Sequence, residues 1–528
     1  MGCPGDVAPA TPARGAGLPD APARARESGG GSWRPGPGRW ADAAVVLLYA
    51  VLLCVLLLRH AMWRDELQAW LLARDSASPF ALWRNTRLEG HPLLWHLLLW
   101  LITRVTVAPV AMQVLHLVVA VAAAAVLVRF APFPLWQRAA LLFGYFFLFE
   151  YGVISRNYAL SCLGVWIACA GAGAAPWSAW GPAGVILAAN SSPMGILLSP
   201  ALTVAVCAAV PRRTSRWRTA LLIGAGVSAA VVQAWPSGAY EHARAWVFGL
   251  EPPRLAYVLR QFAAVLVYVP DPILHFWNTS LIFGAPTRPA DLDPARTALA
   301  AGIVAATAFG VAFLLRRSRT LTATWLLGLG SLLGFAYVKF PGTVRHQGFV
   351  VVLLIAVLWL GRGWAVSGRA AGVVVGVVAV VGCIASAIAV YWTQQAPFSG
   401  VEQAAREIRS RGLTRLPLVG GVDYATYGVA AFLPGVPIYF PSRGEWGTFI
   451  KWDLARLRQD RMSSAEIVEG ALSVDRGSGV VLLVDRPLPG GTPCALLFSV
   501  TPAIVPDEEI WAYRCGRSSA CARPGVAP

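Results

Sequence analysis

Three acidic residues that could act on a hydroxyl group lie in one short polar stretch of an otherwise apolar region. Asp65 and Glu66 follow the first apolar run, and Glu89 lies in "EGHP" just before the next run. Such a carboxylate can take the proton of an attacking hydroxyl as a general base, which accelerates a reaction by roughly 10²–10⁴-fold. The polar stretch 59–91 is therefore the first candidate for a catalytic site.

The same stretch also has the pattern of an amphipathic helix. Four residues follow the i, i+3, i+4, i+7 spacing of one helical face: Leu67, Trp70, Leu71 and Arg74. This pattern predicts a helix in the membrane interface, with its tryptophan at headgroup depth. Asp65 and Glu66 would then stabilise the helix N-terminus, where carboxylates are favoured. The spacing alone leaves capping and catalysis open for these two residues.

Two short basic segments follow farther along the chain. "SRNY" (155–158) separates two apolar runs, and "YVKFPGTVRHQGF" (337–349) contains Lys339, Arg345 and His346. The predicted topology puts the second segment outside, where lysine and arginine are statistically rare. A bound anion such as a lipid phosphate would explain these cations. Snorkelling of Lys339 and Arg345 at a helix end is the alternative.

The composition places these residues in a membrane protein. Of the 528 residues, 56% are hydrophobic and only 13% are charged, whereas a soluble protein carries about 25% charged residues. The net charge of +17 comes from short basic clusters between apolar runs, such as 211–218, 316–319 and 361–369. That distribution is typical of cytoplasmic loops. No nucleic-acid-binding motif accompanies it, and we expect no nucleic-acid partner.

Twelve apolar segments are candidates for membrane spans, which need about 17–25 residues. They are 41–58, 92–107, 110–128, 139–154, 158–175, 181–192, 194–210, 219–234, 298–315, 321–338, 348–360 and 370–392. The basic loops predict a cytoplasmic N-terminus and an external C-terminus, which requires an odd number of crossings. We therefore expect 11 transmembrane helices, or 13 if 259–269 also crosses.

Three regions are predicted along the chain. Residues 1–40 are rich in Gly, Pro, Ala and Arg and should form a disordered cytoplasmic segment. Residues 41–392 form the α-helical membrane domain, with 59–91 as its first external loop. Residues 393–528 alternate strand and helix patterns and predict a small extracytoplasmic α/β domain. Three cysteines in that domain could form a disulfide outside the cytoplasm: Cys494, Cys515 and Cys521.

Four motifs together resemble the GT-C-type membrane glycosyltransferases, in particular the protein O-mannosyltransferase and lipid A aminoarabinose transferase superfamily. They are "WRDE" after the first span, "EGHPLLW" at the second, "SRNYAL" farther on and the late "RH" pair. The resemblance covers roughly residues 41–392. It implies transfer of a sugar, with inversion, from a polyprenyl-phosphate donor to a lipid, glycan or protein hydroxyl on the external face of the cell membrane.

The resemblance also implies roles for individual residues. Asp65 would be the general base, with Glu66 the second choice. Four residues would bind the donor phosphate: Arg156, Lys339, Arg345 and His346. Five residues would contact the substrates: Trp63, Glu89, His91, Asn157 and Tyr158. No cofactor is certain. Asp65, Glu89 and His91 offer oxygen and nitrogen ligands for a divalent metal, but their spacing matches no recognised metal motif.

Two other classes of protein remain open. A transporter or a flippase for lipid-linked sugars would place Glu150 and Asn190 in a central cavity. A protein that binds a sugar lipid without catalysis would have no strict need for Asp65. "DLD" (291–293) is interpreted as a cap before the following helix, because a three-residue pattern is weak support for a nucleotide-sugar site.

Overall fold

The computed structural model describes residues 38–173, 179–210, 213–235, 246–284, 293–362 and 368–516. Most of the predicted disordered segment 1–40 lies outside these residues, as does Cys521. The residues from Asp42 onward form one compact unit. The described chain is mostly helical, with one sheet near its C-terminus, which confirms the general character of the predicted fold.

Sixteen α-helices precede the C-terminal sheet region in the described residues. In chain order they are α1 (Gly38–Arg59), α2 (Arg64–Asp75), α3 (Pro79–Thr86), α4 (Leu94–Thr103), α5 (Val110–Phe130), α6 (Leu135–Leu142), α7 (Tyr158–Gly173), α8 (Trp180–Ser191), α9 (Pro193–Ala209), α10 (Arg213–Ala234), α11 (Pro252–Leu266), α12 (Pro294–Leu315), α13 (Arg319–Val338), α14 (Val344–Gln347), α15 (Phe349–Arg362) and α16 (Gly368–Gln395). A π-helix, Tyr145–Val153, lies between α6 and α7.

Seven helical segments of the described chain are long and apolar enough to cross a membrane. They are Arg39–Arg59, Val110–Phe130, Thr214–Ala234, Pro294–Leu315, Arg319–Val338, Val344–Gly361 and Gly368–Gln395. Three shorter apolar helices are Leu94–Thr103, Tyr158–Ala172 and Pro193–Ala209. These helices fit a multi-pass membrane protein. The predicted span 92–107 is only the ten-residue α4, because a polar turn precedes it and Pro109 follows it.

The predicted span 139–154 is also interrupted. It divides into α6 and the π-helix at Gly144, which lies against α16. A β-carbon on Gly382 of α16 would come within 3.4 Å of the Gly144 α-carbon. Two glycines at the crossing therefore allow the backbones to approach closely, and the chain changes its helical geometry there.

The central and peripheral helices differ sharply in burial. In the most apolar 18-residue window of each, 94% of Val344–Gly361 is buried by protein, against 11% of Thr214–Ala234. An apolar helix without protein cover requires another apolar surrounding. Arg345 therefore lies at the start of a helical segment that is buried in the core, whereas most of the apolar window of α10 is not covered by protein.

The C-terminal region holds one six-stranded sheet with helices α17 (Val401–Ser410), α18 (Asp423–Thr426), α19 (Val429–Phe432) and α20 (Ser464–Ser473). Its strands are β1 (Leu418–Gly420), β2 (Ile438–Phe440), β3 (Glu445–Gly447), β4 (Val480–Val484), β5 (Cys494–Val500) and β6 (Ile510–Cys515). Their order is β3-β2-β1-β4-β6-β5, with β1 parallel to β2 and β4 and the other pairs antiparallel. Cys494 and Cys515 lie opposite each other in the register and form a disulfide.

The apolar face predicted for α2 does not contact lipid. Leu67, Trp70 and Leu71 are all fully buried, and they belong to the same apolar cluster as Ile408 of α17 and Val429 of α19. Protein covers the apolar face of α2, so that face is not available to lipid. The hydrophobic spacing predicted the helix correctly, but it cannot distinguish a lipid surface from a protein surface as the partner.

Candidate functional site

Glu66 is a completely buried anchor at the start of α2. One carboxylate oxygen accepts hydrogen bonds from His60 Nε2 at 2.8 Å and from the Trp63 backbone N–H at 3.1 Å. The other accepts from the Ser155 backbone N–H at 2.6 Å. The side chain is 0% exposed. Glu66 therefore caps α2 and fixes it to the turn that carries Arg156.

Asp65 points to two arginines instead. Its Oδ2 lies 2.7 Å from Arg345 Nη2 and 3.6 Å from Arg156 Nη1, and Arg156 also donates to the Asp65 backbone carbonyl. Burial alone would raise the pKa of Asp65, but Arg345, Arg156 and Arg64 outweigh it and lower the pKa to about 2. The carboxylate is thus ionised, and it joins segments that are far apart in the sequence.

Arg345 carries unused hydrogen-bonding capacity. Its guanidinium group lies over the rings of Trp63 and Trp277, at 4.9 and 5.7 Å from their centroids. Its Nε and Nη1 are buried and have no hydrogen-bond partner among the described residues. Buried donors without a partner are costly, especially on a charged group. An anion placed beside Arg345 would satisfy them.

A cavity of ≈ 270 Å³ lies beside this pair and is called the cationic cavity below. Its ionisable lining residues are Glu89, His91, Arg156, Lys339, Arg345 and His346. The rest of its lining is predominantly apolar: Gly90, Pro193, Met194, Ile196, Leu197, Val231, Ala234, Trp235, Trp246, Phe335 and Phe340. The cavity thus combines cations with walls contributed by α9, α10 and α13. Asp65 contacts its two arginines and is not itself among the lining residues.

His346 is held in one orientation by hydrogen bonds at both ring nitrogens. Its Nδ1 accepts from the Thr343 backbone N–H at 3.1 Å, so the ring proton of the neutral form lies on Nε2. That Nε2 lies 3.0 Å from the Tyr158 hydroxyl, to which it donates. Tyr158 is 1% exposed, and the Arg156 guanidinium lies 5.8 Å from its ring centroid, so Tyr158 supports two residues that line the cavity.

Glu89 and His91 lie on the cavity wall on either side of Gly90, whose φ of 66° requires the left-handed region. Glu89 Oε1 accepts from Gln68 Nε2 at 2.8 Å. Burial raises the pKa of Glu89 to about 7, although the Gln68 hydrogen bond opposes the shift. Burial and the nearby Arg156 hold the pKa of His91 well below its usual range, so this ring is neutral at pH 7.

The remaining predicted site residues lie around the cavity in different ways. Lys339 lines it and lies over Trp246, 4.7 Å from the ring centroid. Asn157 is buried and donates from Nδ2 to the Ser191 carbonyl at 2.7 Å, which ties α7 to α8. Trp63 is 3% exposed and packs against Trp277. Asn157 and Trp63 therefore hold the site together in this structure and do not line the cavity.

Neither residue that would favour a transporter lines the cationic cavity. Glu150, in the π-helix, accepts from Tyr145 and from Trp277 Nε1 at 2.8 and 3.1 Å. Asn190 donates to the carbonyls of Ile186 and Gly226 at 2.9 and 3.0 Å. Both are engaged within the protein. Asp293 caps α12 by accepting from the Ala295 backbone N–H, whereas residues 291 and 292 lie outside the described chain.

No group of three or more His, Cys, Asp or Glu side chains within the described ranges is arranged to hold a metal ion. Asp65 instead uses its oxygen on Arg345, and Glu89 uses one of its oxygens on Gln68. The neighbouring guanidinium groups would repel a divalent cation at Asp65. The three proposed metal ligands therefore do not form a site in this arrangement.

Sequence analysis did not identify Gln68 or Trp277. Gln68 Nε2 donates to both Glu89 Oε1 and the Ile450 carbonyl, and its Oε1 accepts from the Ile450 N–H. Trp277 joins Glu150, Trp63 and Arg345. Gln68 is a polar residue within the predicted helix, and nothing local in the sequence indicates partners 21 and 382 residues away.

Comparison of the chain with protein-family models, with curated proteins and with solved structures found no match. The geometry of the cationic cavity and its surroundings is therefore the basis for assigning a function.

Proposed function

We propose that this protein is a membrane glycosyltransferase of GT-C-like architecture. It would transfer a sugar from a polyprenyl-phosphate donor to a hydroxyl acceptor on the external face of the cell membrane. The single observation that carries this proposal is the amphiphilic character of the cationic cavity. Arg156, Arg345 and Lys339 meet there, while α9, α10 and α13 supply apolar walls.

The walls favour a lipid over a soluble anion. The wall helices α10 and α13 are both candidate spans, and α10 has little protein cover. Val231 and Ala234 of α10 and Phe335 of α13 line the cavity directly. A ligand with a phosphate at the arginines and a hydrocarbon chain beside these residues would bury apolar surface and satisfy the cations together.

The cations suit a phosphate leaving group. In a direct displacement, the acceptor oxygen attacks the anomeric carbon while the bond from that carbon to the phosphate oxygen breaks. The electron pair remains on the phosphate, which needs no proton to leave. Arg345, whose Nε and Nη1 have no partner within the described ranges, and Arg156 would stabilise this developing charge. The displacement inverts the anomeric configuration.

Asp65 is the proposed base, since it already contacts both arginines. The low pKa of this carboxylate depends on those cations. A bound phosphate would neutralise them and raise the pKa of Asp65, so that it accepts the hydroxyl proton during attack. Glu89, on the wall, would bind the acceptor hydroxyl and is the second candidate base. Glu66 would act as a positioning residue because its oxygens are occupied.

The proposed topology follows from the charge distribution. An odd number of crossings, 11 or 13, would place the N-terminus in the cytoplasm and residues 393–528 outside. The three short apolar helices and the interrupted segment 139–154 would then add four crossings to the seven long candidates. The acceptor class at this level is a lipid, a glycan or a protein hydroxyl.

Sugar transfer in membranes tests the proposal. Membranes with the wild type, Asp65→Asn, Glu89→Gln or the surface control Glu407→Gln receive radiolabelled polyprenyl-phosphate sugars and native envelope acceptors. We expect transfer by the wild type and the control, and a loss of at least 100-fold in Asp65→Asn. Retained activity in a folded Asp65→Asn protein, with loss in Glu89→Gln, would assign the base to Glu89. Absence of transfer with every donor, combined with movement of the labelled lipid across the bilayer, would favour a flippase.

A further inference from the structure

A second cavity, of ≈ 280 Å³, lies in the C-terminal region at the edge strand β3 and is called the β3 cavity below. It is lined by Asp75, Asp423, Phe440, Arg443, Glu445, Trp446, Gly447, Thr448, Phe449, Ile450 and Lys451. Asp75 ends α2, whose other end carries Asp65. Gln68 links the two cavities, because it hydrogen-bonds Glu89 in one and the Ile450 backbone in the other.

The charges of the β3 cavity are neutralised within the protein. Arg443 donates to both oxygens of Asp453, at 2.7 and 3.0 Å, and also pairs with Glu445. Lys451 lies 3.2 Å from Glu445. A site that binds an anion or a metal ion needs charge of one sign that other residues of the protein do not neutralise. The β3 cavity offers instead many polar atoms with little net charge.

Trp446 adds an aromatic surface to this polar lining. It lies on the edge strand, is 47% exposed and packs against Tyr439 with ring centroids 5.3 Å apart. Thr448 lines the same cavity and donates its hydroxyl proton to Asp75. A sugar ring has an apolar face of C–H groups and a rim of hydroxyls that both donate and accept. An exposed indole beside paired charges is suited to both parts of such a ligand.

We propose that the β3 cavity binds the glycan portion of the acceptor, so that the acceptor is an oligosaccharide or a glycan-bearing molecule. This inference rests on the proposed function and narrows its acceptor class. Asp65 and Asp75 are ten positions apart on one helix, which corresponds to about 15 Å along its axis. A molecule that reaches from the β3 cavity to Asp65 must therefore contain several sugar units, and a simple alcohol or a single serine side chain would be too short.

Binding and transfer measured on the same preparation test this inference. The full chain in a detergent without sugar groups is mixed with mannotetraose, arabinofuranotetraose or cellotetraose, and binding is followed by saturation-transfer NMR. Glycerol serves as the small polyol control. We expect at least one tetrasaccharide to bind, glycerol to give no saturable signal, and Trp446→Ala to weaken tetrasaccharide binding by at least tenfold. Thr448→Val should weaken it several-fold.

The matched control is Leu496→Ala, which removes a residue of the same sheet with 48% exposure, close to that of Trp446. Binding by Leu496→Ala should equal that of the wild type. The inference is overturned if no tetrasaccharide binds a preparation that transfers sugar, or if Trp446→Ala binds as well as Leu496→Ala. Tetrasaccharide binding that depends on Trp446 would support it even in a preparation without transfer, in which case the proposed function alone would fail.

Discussion

The two cavities linked by Gln68 differ in how completely their arginine side chains are paired. In the cationic cavity, Arg345 has two buried nitrogen atoms, Nε and Nη1, with no hydrogen-bond partner in the described part of the chain, and it shares the Asp65 carboxylate with Arg156. In the β3 cavity, Arg443 is held by Asp453 and Glu445 together. Unsatisfied buried donors cost folding free energy and are retained where a ligand supplies the missing acceptor. The difference separates an anion site from a site for neutral polar ligands.

The largest expected effects come from removing one arginine at each cavity. Arg345→Met should weaken binding of a polyprenyl phosphate by about 100-fold or more, because a charge at the phosphate is lost. Arg443→Met should leave that binding unchanged. Its melting temperature should fall slightly, because Asp453 loses its bidentate partner while Glu445 keeps Lys451. Both carboxylates are partly exposed to water, so the cost is about 1 kcal/mol.

Both variants are measured by titration with the lipid phosphate and by thermal unfolding without it. The comparison fails if Arg443→Met weakens lipid-phosphate binding as strongly as Arg345→Met does. It also fails if lipid phosphate raises the melting temperature of both variants as much as that of the wild type.

A second prediction concerns pH and depends on Glu89. Its pKa is raised from the ordinary value 4.5 to about 7, so between these pH values the folded protein holds a proton that the unfolded chain has released. Stability should therefore fall as pH rises from 4.5 to 7, by roughly 3 kcal/mol at most. Melting temperatures of the wild type and Glu89→Gln at pH 5, 6, 7 and 8 isolate this contribution. The variant should lack that part of the decline, and parallel curves for the two proteins would contradict the pKa shift.

The smallest expected effect is that of Tyr158→Phe. The change removes the hydroxyl that accepts from His346 Nε2 but keeps the ring and its packing. Losing one such hydrogen bond costs about 1 kcal/mol, so transfer should fall only about fivefold to tenfold. His346→Ala should have a larger effect because it also removes the ring from the cavity wall. Kinetics of the two variants that reverse this order would show that Tyr158 itself contacts the substrate.

The sequence predicted the helices well because hydrophobic length and spacing are local properties. Each of the twelve predicted spans overlaps a helical segment of the described residues, although 92–107 and 181–192 proved short and 139–154 broke at Gly144. Strand β3 was missed because "EWG" has neither alternation nor an apolar run. The partner of α2 was also missed, since its apolar face fits lipid or protein equally well. Only the tertiary structure shows that Trp70 packs against the C-terminal region.

For the candidate site, residue type was more informative than spacing. Asp65, Arg156 and Arg345 were chosen as charged residues at the ends of apolar runs, and the structure brings them together across 91 and 280 positions. The same criterion could not separate Asp65 from Glu66. The two residues are adjacent on α2, and only the directions of their side chains distinguish them. Nor could it find Gln68, a neutral side chain whose importance lies entirely in its distant partners.

The measurement that tests the central claim most directly is photolabelling of the cationic cavity. A polyprenyl phosphate with a photoreactive group near its phosphate is added to the full chain in membranes, and labelled peptides are identified by mass spectrometry. We predict labelling of residues that line the cavity in α9, α10 and α13, competition by unlabelled lipid phosphate, and loss of labelling in Arg345→Met. Labelling that is spread over the lipid-exposed helices and is unaffected by competitor and by Arg345→Met would contradict the account.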